Sequence, residues 1–161
     1  IIATLLEPDR GTIAIKADGR ELLWHERRPW IGWVSPDAGL YRALTGPEHI
    51  RFHARLRGVA MSDDDIPMVL ESVGLNGRRG AAVSTYSSGM AQRLRYACAT
   101  IHQPPILLLD EPHMALDADG VRMVQRLVDE QRRRGVCVIA GNRDDELALA
   151  DMVLKIGHGD R

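Results

Sequence analysis

The sequence contains few lysines, few cysteines and few aromatic side chains. Only Lys16 and Lys155 of its 21 basic residues are lysines, and 22 acidic residues leave a formal net charge of -1. This charge balance excludes the strongly basic surface of a nucleic-acid-binding domain, so we expect no nucleic-acid partner. Cys98 and Cys137 stand in apolar contexts without a CxxC pair. We therefore expect two buried free thiols rather than a disulfide or a zinc site.

Long apolar runs and internal repeats are also missing. No apolar run approaches the roughly 20 residues that a membrane-spanning helix needs. The length of 161 residues predicts one domain. The chain starts on the apolar stretch "IIATLLEPDRG" (1–11) without an initiator methionine. We interpret this stretch as the end of a helix in a chain truncated at its N-terminus.

Turn and capping residues organise the first half of the chain. The "DG" pair within "GTIAIKADGREL" predicts a hairpin, and "PWIGWVSP" (29–36) predicts a short buried strand. Thr45 and Glu48 form a capping-box pattern that begins a helix, which Gly58 should end. Ser62 is predicted to cap a second helix, which has acidic residues in its first turn.

Buried strands and helices alternate in the last third of the chain. Apolar strands joined by helices predict a parallel sheet that is covered on both faces, with a mostly helical insert before it. The predicted strands lie at 105–112, 135–141 and 151–157, and the predicted helices at 118–134 and 144–150.

Two acidic residues, Asp110 and Glu111, end the most apolar strand. Ligands of parallel sheets bind beyond the carboxyl ends of the strands. There the first carboxylate could hold Mg²⁺ and the second could orient a water for attack on a phosphate. Strand ends are often polar for structural reasons, so this pair alone leaves both interpretations open.

A polar segment, "STYSSGM" (84–90), opens an amphipathic helix. The free N–H groups at a helix start and the helix dipole favour an anion such as phosphate. Ordinary N-capping by serine explains the same residues, so the segment by itself does not decide between the two.

Together these pieces resemble the ATP-binding subunits of ABC transporters. "YSSGMAQRL" stands in the place of the family's signature, "ILLLDEP" resembles its Walker B strand and "ALD" its D-loop. The resemblance covers essentially the whole chain. It implies an α/β, P-loop NTPase-like three-layer parallel sheet, with a helical subdomain inserted at about 37–95. The signature variant is most similar to that of exporter-type subunits.

The resemblance also implies cofactors, partners and residue roles. It implies ATP and Mg²⁺, with Asp110 as the metal ligand, Glu111 as the catalytic base and Asp117 in the D-loop. It implies a head-to-tail dimer with a second ATP-binding subunit, and a membrane-spanning permease contacted from the cytoplasmic face of the cell membrane. In such a dimer the signature residues contact the nucleotide of the other subunit. These signature residues are Ser87, Ser88, Gly89 and Met90.

The sequence departs from the family pattern at three places. The P-loop pattern GxxxxGK[ST] is absent from the sequence, since neither lysine follows a glycine. Pro36 occupies the Q-loop position, where a proline offers no side-chain ligand. Asn142 occupies the switch-histidine position, where it can hydrogen-bond a γ-phosphate but cannot change charge near neutral pH.

Three hypotheses follow from these matches and departures. The chain is an exporter ATPase subunit, or a catalytically degenerate regulatory subunit that lends its signature to a partner's ATP site, or a fragment without a function of its own. The histidines show no metal-ligand spacing. His49 and His53 lie four residues apart without an acidic ligand, and we expect them on a helix surface.

Overall fold

A short antiparallel hairpin is the first regular element of the structure, a computed structural model that describes residues 1–78 and 80–156. Its strands are β1 (Lys16–Ala17) and β2 (Arg20–Glu21). Asp18 and Gly19 form the turn with φ of 51° and 78°. A two-residue type I′ turn requires positive φ at both positions, so the hairpin predicted from the "DG" pair is confirmed.

Three parallel strands form the central sheet. They are β3 (Ile31–Val34), β4 (Ile106–Asp110) and β5 (Val136–Ala140), in the order β3–β4–β5. Val34 pairs with Leu109, and Asp110 pairs with Ala140. The carboxyl ends of all three strands therefore meet at one edge of the sheet, as the sequence predicts.

Three helices separate β3 from β4: α1 (Gly46–Leu56), α2 (Asp65–Ser72) and α3 (Ser88–Thr100). The capping box that begins α1 is present, since Thr45 N–H donates to the Glu48 carboxylate at 2.7 Å. Gly58 follows the end of α1 with a φ of 67°, as a helix-ending glycine should. Helices α1 and α2 and the first part of α3 fall within the residues predicted for the helical insert, about 37–95, and the insert itself remains a prediction.

The predicted start of α2 is wrong by two residues. Ser62 was expected to cap the helix, but α2 begins at Asp65. The backbone N–H and the hydroxyl of Ser62 both donate to the Asp65 carboxylate, at 2.8 and 2.7 Å. These bonds hold Ser62 in a turn before the helix instead of at its cap.

The core lies between the sheet and the two long helices, α3 and α4 (Ala118–Arg134). Both crossovers, β3–α3–β4 and β4–α4–β5, step in the same direction along the sheet. Right-handed connections therefore place α3 and α4 on the same face. The buried core side chains of these elements include Val34, Leu94, Ala97, Cys98, Leu107, Leu109, Met123, Val124 and Val128. The chain then continues into a short helix, α5 (Asp144–Leu147).

The sheet is less enclosed at β5 than the sequence predicts. Val136 and Val138 are 56% and 39% exposed, so the expectation of cover on both faces is not met at this strand. Residues 151–156 form no strand, and Met152 and Leu154 are 90% and 85% exposed. The predicted strand 151–157 is therefore wrong over its described part, because no strand of the described chain pairs with it. Residue 157 lies outside the described residues.

Two further local predictions are wrong. Residues 1–11 form turns and bends instead of the end of a helix. His49 is fully buried instead of lying on a helix surface. Its Nε2 accepts the N–H of Tyr41 at 2.9 Å, and its Nδ1 lies 3.1 Å from the carbonyl oxygen of Thr45. The histidine is buried because it supplies hydrogen bonds to the loop that precedes α1.

Among the described helices, none is long and apolar enough to cross a membrane.

Candidate functional site

Asp110 and Ser35 meet at the carboxyl edge of the sheet. Asp110 is the last residue of β4, and Ser35 directly follows β3. The Ser35 hydroxyl donates to Oδ2 of Asp110 at 3.2 Å, and Ser35 is only 2% exposed. Sequence reasoning missed Ser35 and considered only its neighbour Pro36. Ser35 could have been found from its position, because it lies one residue beyond a predicted strand that should pair with β4.

Glu111 begins a tight turn directly after β4. Its φ is 47°, in the left-handed region, which costs a residue with a side chain about 1 kcal/mol or more. Its backbone N–H donates to the Ala140 carbonyl oxygen at 2.8 Å. This bond ties the turn to the end of β5, while the Glu111 side chain stays exposed. An exposed carboxylate on a constrained turn is available to a ligand at this edge.

The two positions that depart from the family pattern lie at the same edge. Pro36 follows Ser35 and is half-buried. Asn142 follows β5 by two residues and is exposed. In the described part of the chain the Asn142 side chain makes no hydrogen bond. Asp110, Glu111, Pro36 and Asn142 thus all lie at or just beyond the carboxyl ends of the three strands, although Pro36 offers no side-chain ligand.

The signature segment forms the start of α3. The Ser87 hydroxyl accepts the N–H of Met90 at 3.2 Å, so Ser87 is the N-cap. Ser87 and Ser88 are exposed, and Gly89 is half-buried. A Cβ atom on Gly89 would lie 2.7 Å from the carbonyl oxygen of Ala115. This closeness shows that a glycine is needed for α3 to approach the loop before α4.

A salt bridge joins the signature helix to the D-loop. Nη2 of Arg93 lies 2.5 Å from Oδ1 of Asp117, and the Arg93 Nη1 donates to the Val73 carbonyl oxygen at 3.0 Å. Asp117 also caps α4 by accepting the N–H of Gly120 at 2.8 Å. The Gly120 N–H and the Arg93 guanidinium hold the pKa of Asp117 below its usual range. Sequence reasoning missed Arg93, although it lies one helical turn after Gly89.

The oxygen donors at the strand ends are suited to Mg²⁺. Asp110 and Glu111 supply carboxylates and Ser35 a hydroxyl, and Mg²⁺ prefers such oxygen ligands. The described residues contain no group of three or more histidine, cysteine, aspartate or glutamate side chains that could hold a metal ion. Mg²⁺ sites often use only one or two carboxylates and complete the shell with water and substrate phosphates. The donor set therefore fits a metal that binds together with a nucleotide.

Comparison with known proteins decides the family. The family model described as "ABC transporter" matches residues 1–114, which include the signature and the Asp110–Glu111 strand end. The chain belongs to the ABC transporter family. It is 32% identical over 161 residues to YybJ of Bacillus subtilis (strain 168), an uncharacterized ABC transporter ATP-binding protein. That match covers 98% of this chain and 72% of YybJ.

A second ABC relative and a solved ABC structure agree with this assignment. The cytochrome c biogenesis ATP-binding export protein CcmA of Mannheimia succiniciproducens is 29% identical over 156 residues, covering 97% of this chain and 73% of CcmA. A solved structure described as the ATP binding subunit of an ABC transporter matches with a TM-score of 0.74 at 28% identity. The match covers 86% of this chain and 59% of the solved one. The predicted P-loop NTPase-like α/β fold and the ABC resemblance are thus confirmed.

Proposed function

We propose that this chain couples ATP binding and hydrolysis to export through a membrane-spanning permease. It pairs head to tail with a second ATP-binding subunit at the inner face of the cell membrane and uses ATP and Mg²⁺. Its role as an ATP-binding subunit that works with a permease is supported by the match to the ABC transporter family. The export direction is supported by its similarity to CcmA, which is described as an export protein.

One observation supports this function above the others. The signature start packs on the D-loop, which follows Glu111 closely in the chain, while Asp110 and Glu111 themselves stand at the end of β4. Gly89 abuts Ala115, and Arg93 pairs with Asp117. Two chemically different half-sites, one with helix N–H groups and one with carboxylates, are what a nucleotide shared between two subunits requires.

Each half-site has a defined role in this proposal. Asp110, which accepts a hydrogen bond from the Ser35 hydroxyl, would hold Mg²⁺, and the metal would neutralise negative charge on the phosphates. Glu111 accepts a proton from the attacking water or orients that water, and Asn142 donates a hydrogen bond to the γ-phosphate. Each of these groups reaches the ligand from the carboxyl end of a strand.

The signature contributes to the partner's nucleotide. The first N–H groups of an α-helix have no intrahelical acceptor, and Ser87 caps only that of Met90. The N–H groups of Ser88 and Gly89 are therefore available to phosphate oxygens, together with the positive end of the α3 dipole. The exposed hydroxyls of Ser87 and Ser88 add further donors.

A second function is favoured by Pro36 and Asn142. With no metal ligand at the Q-loop position and no titratable switch residue, this subunit's own site could be inactive while its signature serves a competent partner. The two functions differ in what Glu111 contributes. The ATPase function needs Glu111 as a base at this subunit's own site, whereas the signature-lending function does not.

The experiment is ATPase turnover by the full-length subunit assembled with its permease and its partner subunit. We expect Glu111→Gln to lower kcat by about 10²- to 10⁴-fold, the usual contribution of a general base. Glu130→Gln, at an exposed position on α4, is the matched control and should keep full activity. Unchanged kcat in Glu111→Gln, with a full loss in Ser87→Arg, identifies the signature-lending subunit instead. No ATPase activity in the complete assembly contradicts both functions.

A further inference from the structure

His113 is a buried histidine that lies two residues after Glu111. It is 3% exposed, and its ring lies wholly inside the protein. Its Nδ1 lies 3.0 Å from Oδ2 of Asp145, and its backbone N–H donates to Oε1 of Glu146 at 3.3 Å. One residue of the turn after β4 thus bonds to two successive residues of α5.

These contacts join the loops that bear Glu111 and Asn142. Asn142 lies three residues before Asp145, and Arg143, between them, is the N-cap of α5. The N–H of Glu111 already donates to the carbonyl oxygen of Ala140, at the end of β5. The turn after β4 is therefore attached to the β5–α5 segment on both sides of Asn142.

The acceptor of this contact is a charged carboxylate. Arg143 donates to both oxygens of Asp145, at 3.0 and 3.1 Å. The Arg143 guanidinium, with a smaller contribution from His113, lowers the pKa of Asp145 to about 2. An ionised carboxylate only accepts hydrogen bonds, so Nδ1 of His113 must bear the proton. Nε2 is buried and has no hydrogen-bond partner among the described residues, so the ring acts through Nδ1 alone.

We infer that His113 is a positioning residue, whose Nδ1–H bond to Asp145 holds Glu111 and Asn142 in a fixed relation across two adjacent strand ends. The inference rests on the proposed function for its effect on turnover, but the attachment itself is a property of the chain. A histidine that merely fills the core would be replaceable by any side chain of similar size. A positioning histidine requires a donor at the δ position.

Asparagine and glutamine substitutions at position 113 distinguish the positioning role from simple packing in the core. His113→Asn places an N–H donor where Nδ1 lies, whereas His113→Gln places its amide at the ε position. Asp145→Ala removes the acceptor from a half-exposed site and so spares the core. Asp63→Ala is its matched control, because exposed Asp63 also pairs with an arginine, Arg51, at 2.6 Å but lies between α1 and α2.

Hydrogen–deuterium exchange of the peptide spanning 109–116 tests the attachment in the chain without nucleotide. We expect exchange to rise at least fivefold in His113→Gln and Asp145→Ala, and to stay within twofold of the parent in His113→Asn and Asp63→Ala. Equal exchange in Asp145→Ala and the parent chain overturns the attachment. Equal increases in His113→Asn and His113→Gln also overturn it, because the δ donor then has no special role.

ATPase turnover in the complete transporter tests the consequence for the site. We expect Asp145→Ala and His113→Gln to lower kcat at least tenfold with KM for ATP within twofold, and His113→Asn to restore most of the loss. Raised exchange with unchanged kcat refutes the positioning role. A parent assembly without turnover refutes the proposed function instead, while the exchange measurement still decides the attachment.

Discussion

Replacing Tyr96 by phenylalanine tests how the signature helix supports the turn after β4. Tyr96 lies in the middle of α3 and is fully buried. Its hydroxyl donates to the carbonyl oxygen of Pro112 at 2.8 Å. Pro112 is itself buried and directly follows Glu111. Burial raises the pKa of Tyr96 well above its ordinary value, so the phenol remains a donor throughout the physiological pH range.

The expected loss follows from what the substitution leaves behind. The phenyl ring keeps its packing, because phenylalanine has the same shape without the hydroxyl. A net hydrogen bond of about 1 kcal/mol is lost, and the Pro112 carbonyl is left buried without this donor, at a cost of about 1–3 kcal/mol before relaxation. Because the ring becomes more apolar, we expect a net fall of about 1–2 kcal/mol in the free energy of unfolding. For a chain of this size that corresponds to a Tm lower by about 2–8 °C.

Urea denaturation followed by far-UV circular dichroism measures this loss. Tyr41→Phe is the matched control, since Tyr41 is 59% exposed and should change the free energy of unfolding by less than about 0.5 kcal/mol. A change in Tyr96→Phe no larger than that of the control refutes the hydrogen bond as a support of the turn.

Three further predictions follow from local geometry and from burial. Gly89→Ala places a Cβ 2.7 Å from the Ala115 carbonyl oxygen and should destabilise the chain by about 1–3 kcal/mol in urea denaturation. Gly39→Ala, which meets no atom within 4 Å, should leave the urea midpoint unchanged, and equal midpoints for the two variants contradict the close approach. Burial lowers the pKa of His102 to about 4, below the ordinary histidine value of about 6.5. The unfolded chain therefore binds more protons in that window, so the free energy of unfolding falls from pH 6.5 to 4, and His102→Gln should flatten this fall. Burial raises the pKa of Cys98 to about 12, so a thiol reagent at pH 8 should modify it only after unfolding, and rapid modification of the folded chain contradicts its burial.

Features set by neighbours in the sequence could be predicted. The "DG" turn needs only two residues that accept positive φ, and the capping box at Thr45 needs only Glu48 three residues later. The helix predicted at 118–134 has those limits in the structure, because Asp117 caps its start and a glycine follows its end. The meeting of Asp110, Glu111 and Asn142 at one edge follows from parallel strands alone.

Features set by distant parts of the chain could not be predicted. The burial of His49 depends on a backbone N–H and a carbonyl from the preceding loop, and the contact of His113 depends on Asp145, which is 32 residues away. The apolar pattern at 151–157 is typical of a strand, but a strand forms only beside a partner. The exposure of β5 also depends on distant parts of the chain. An apolar pattern indicates which side chains a strand can bury, but not which element covers them.

The most direct test of the proposed function is a Ser87→Arg substitution in one subunit of the assembled transporter, with ATP hydrolysis measured at the partner's site. The arginine removes the cap of α3 and fills the space in front of the Ser88 and Gly89 N–H groups. Ser84→Arg, at an exposed position three residues earlier, is the control. We predict that Ser87→Arg lowers the partner's turnover at least 100-fold and that Ser84→Arg does not. Full turnover at the partner's site in Ser87→Arg contradicts the signature's role in the other subunit's nucleotide site.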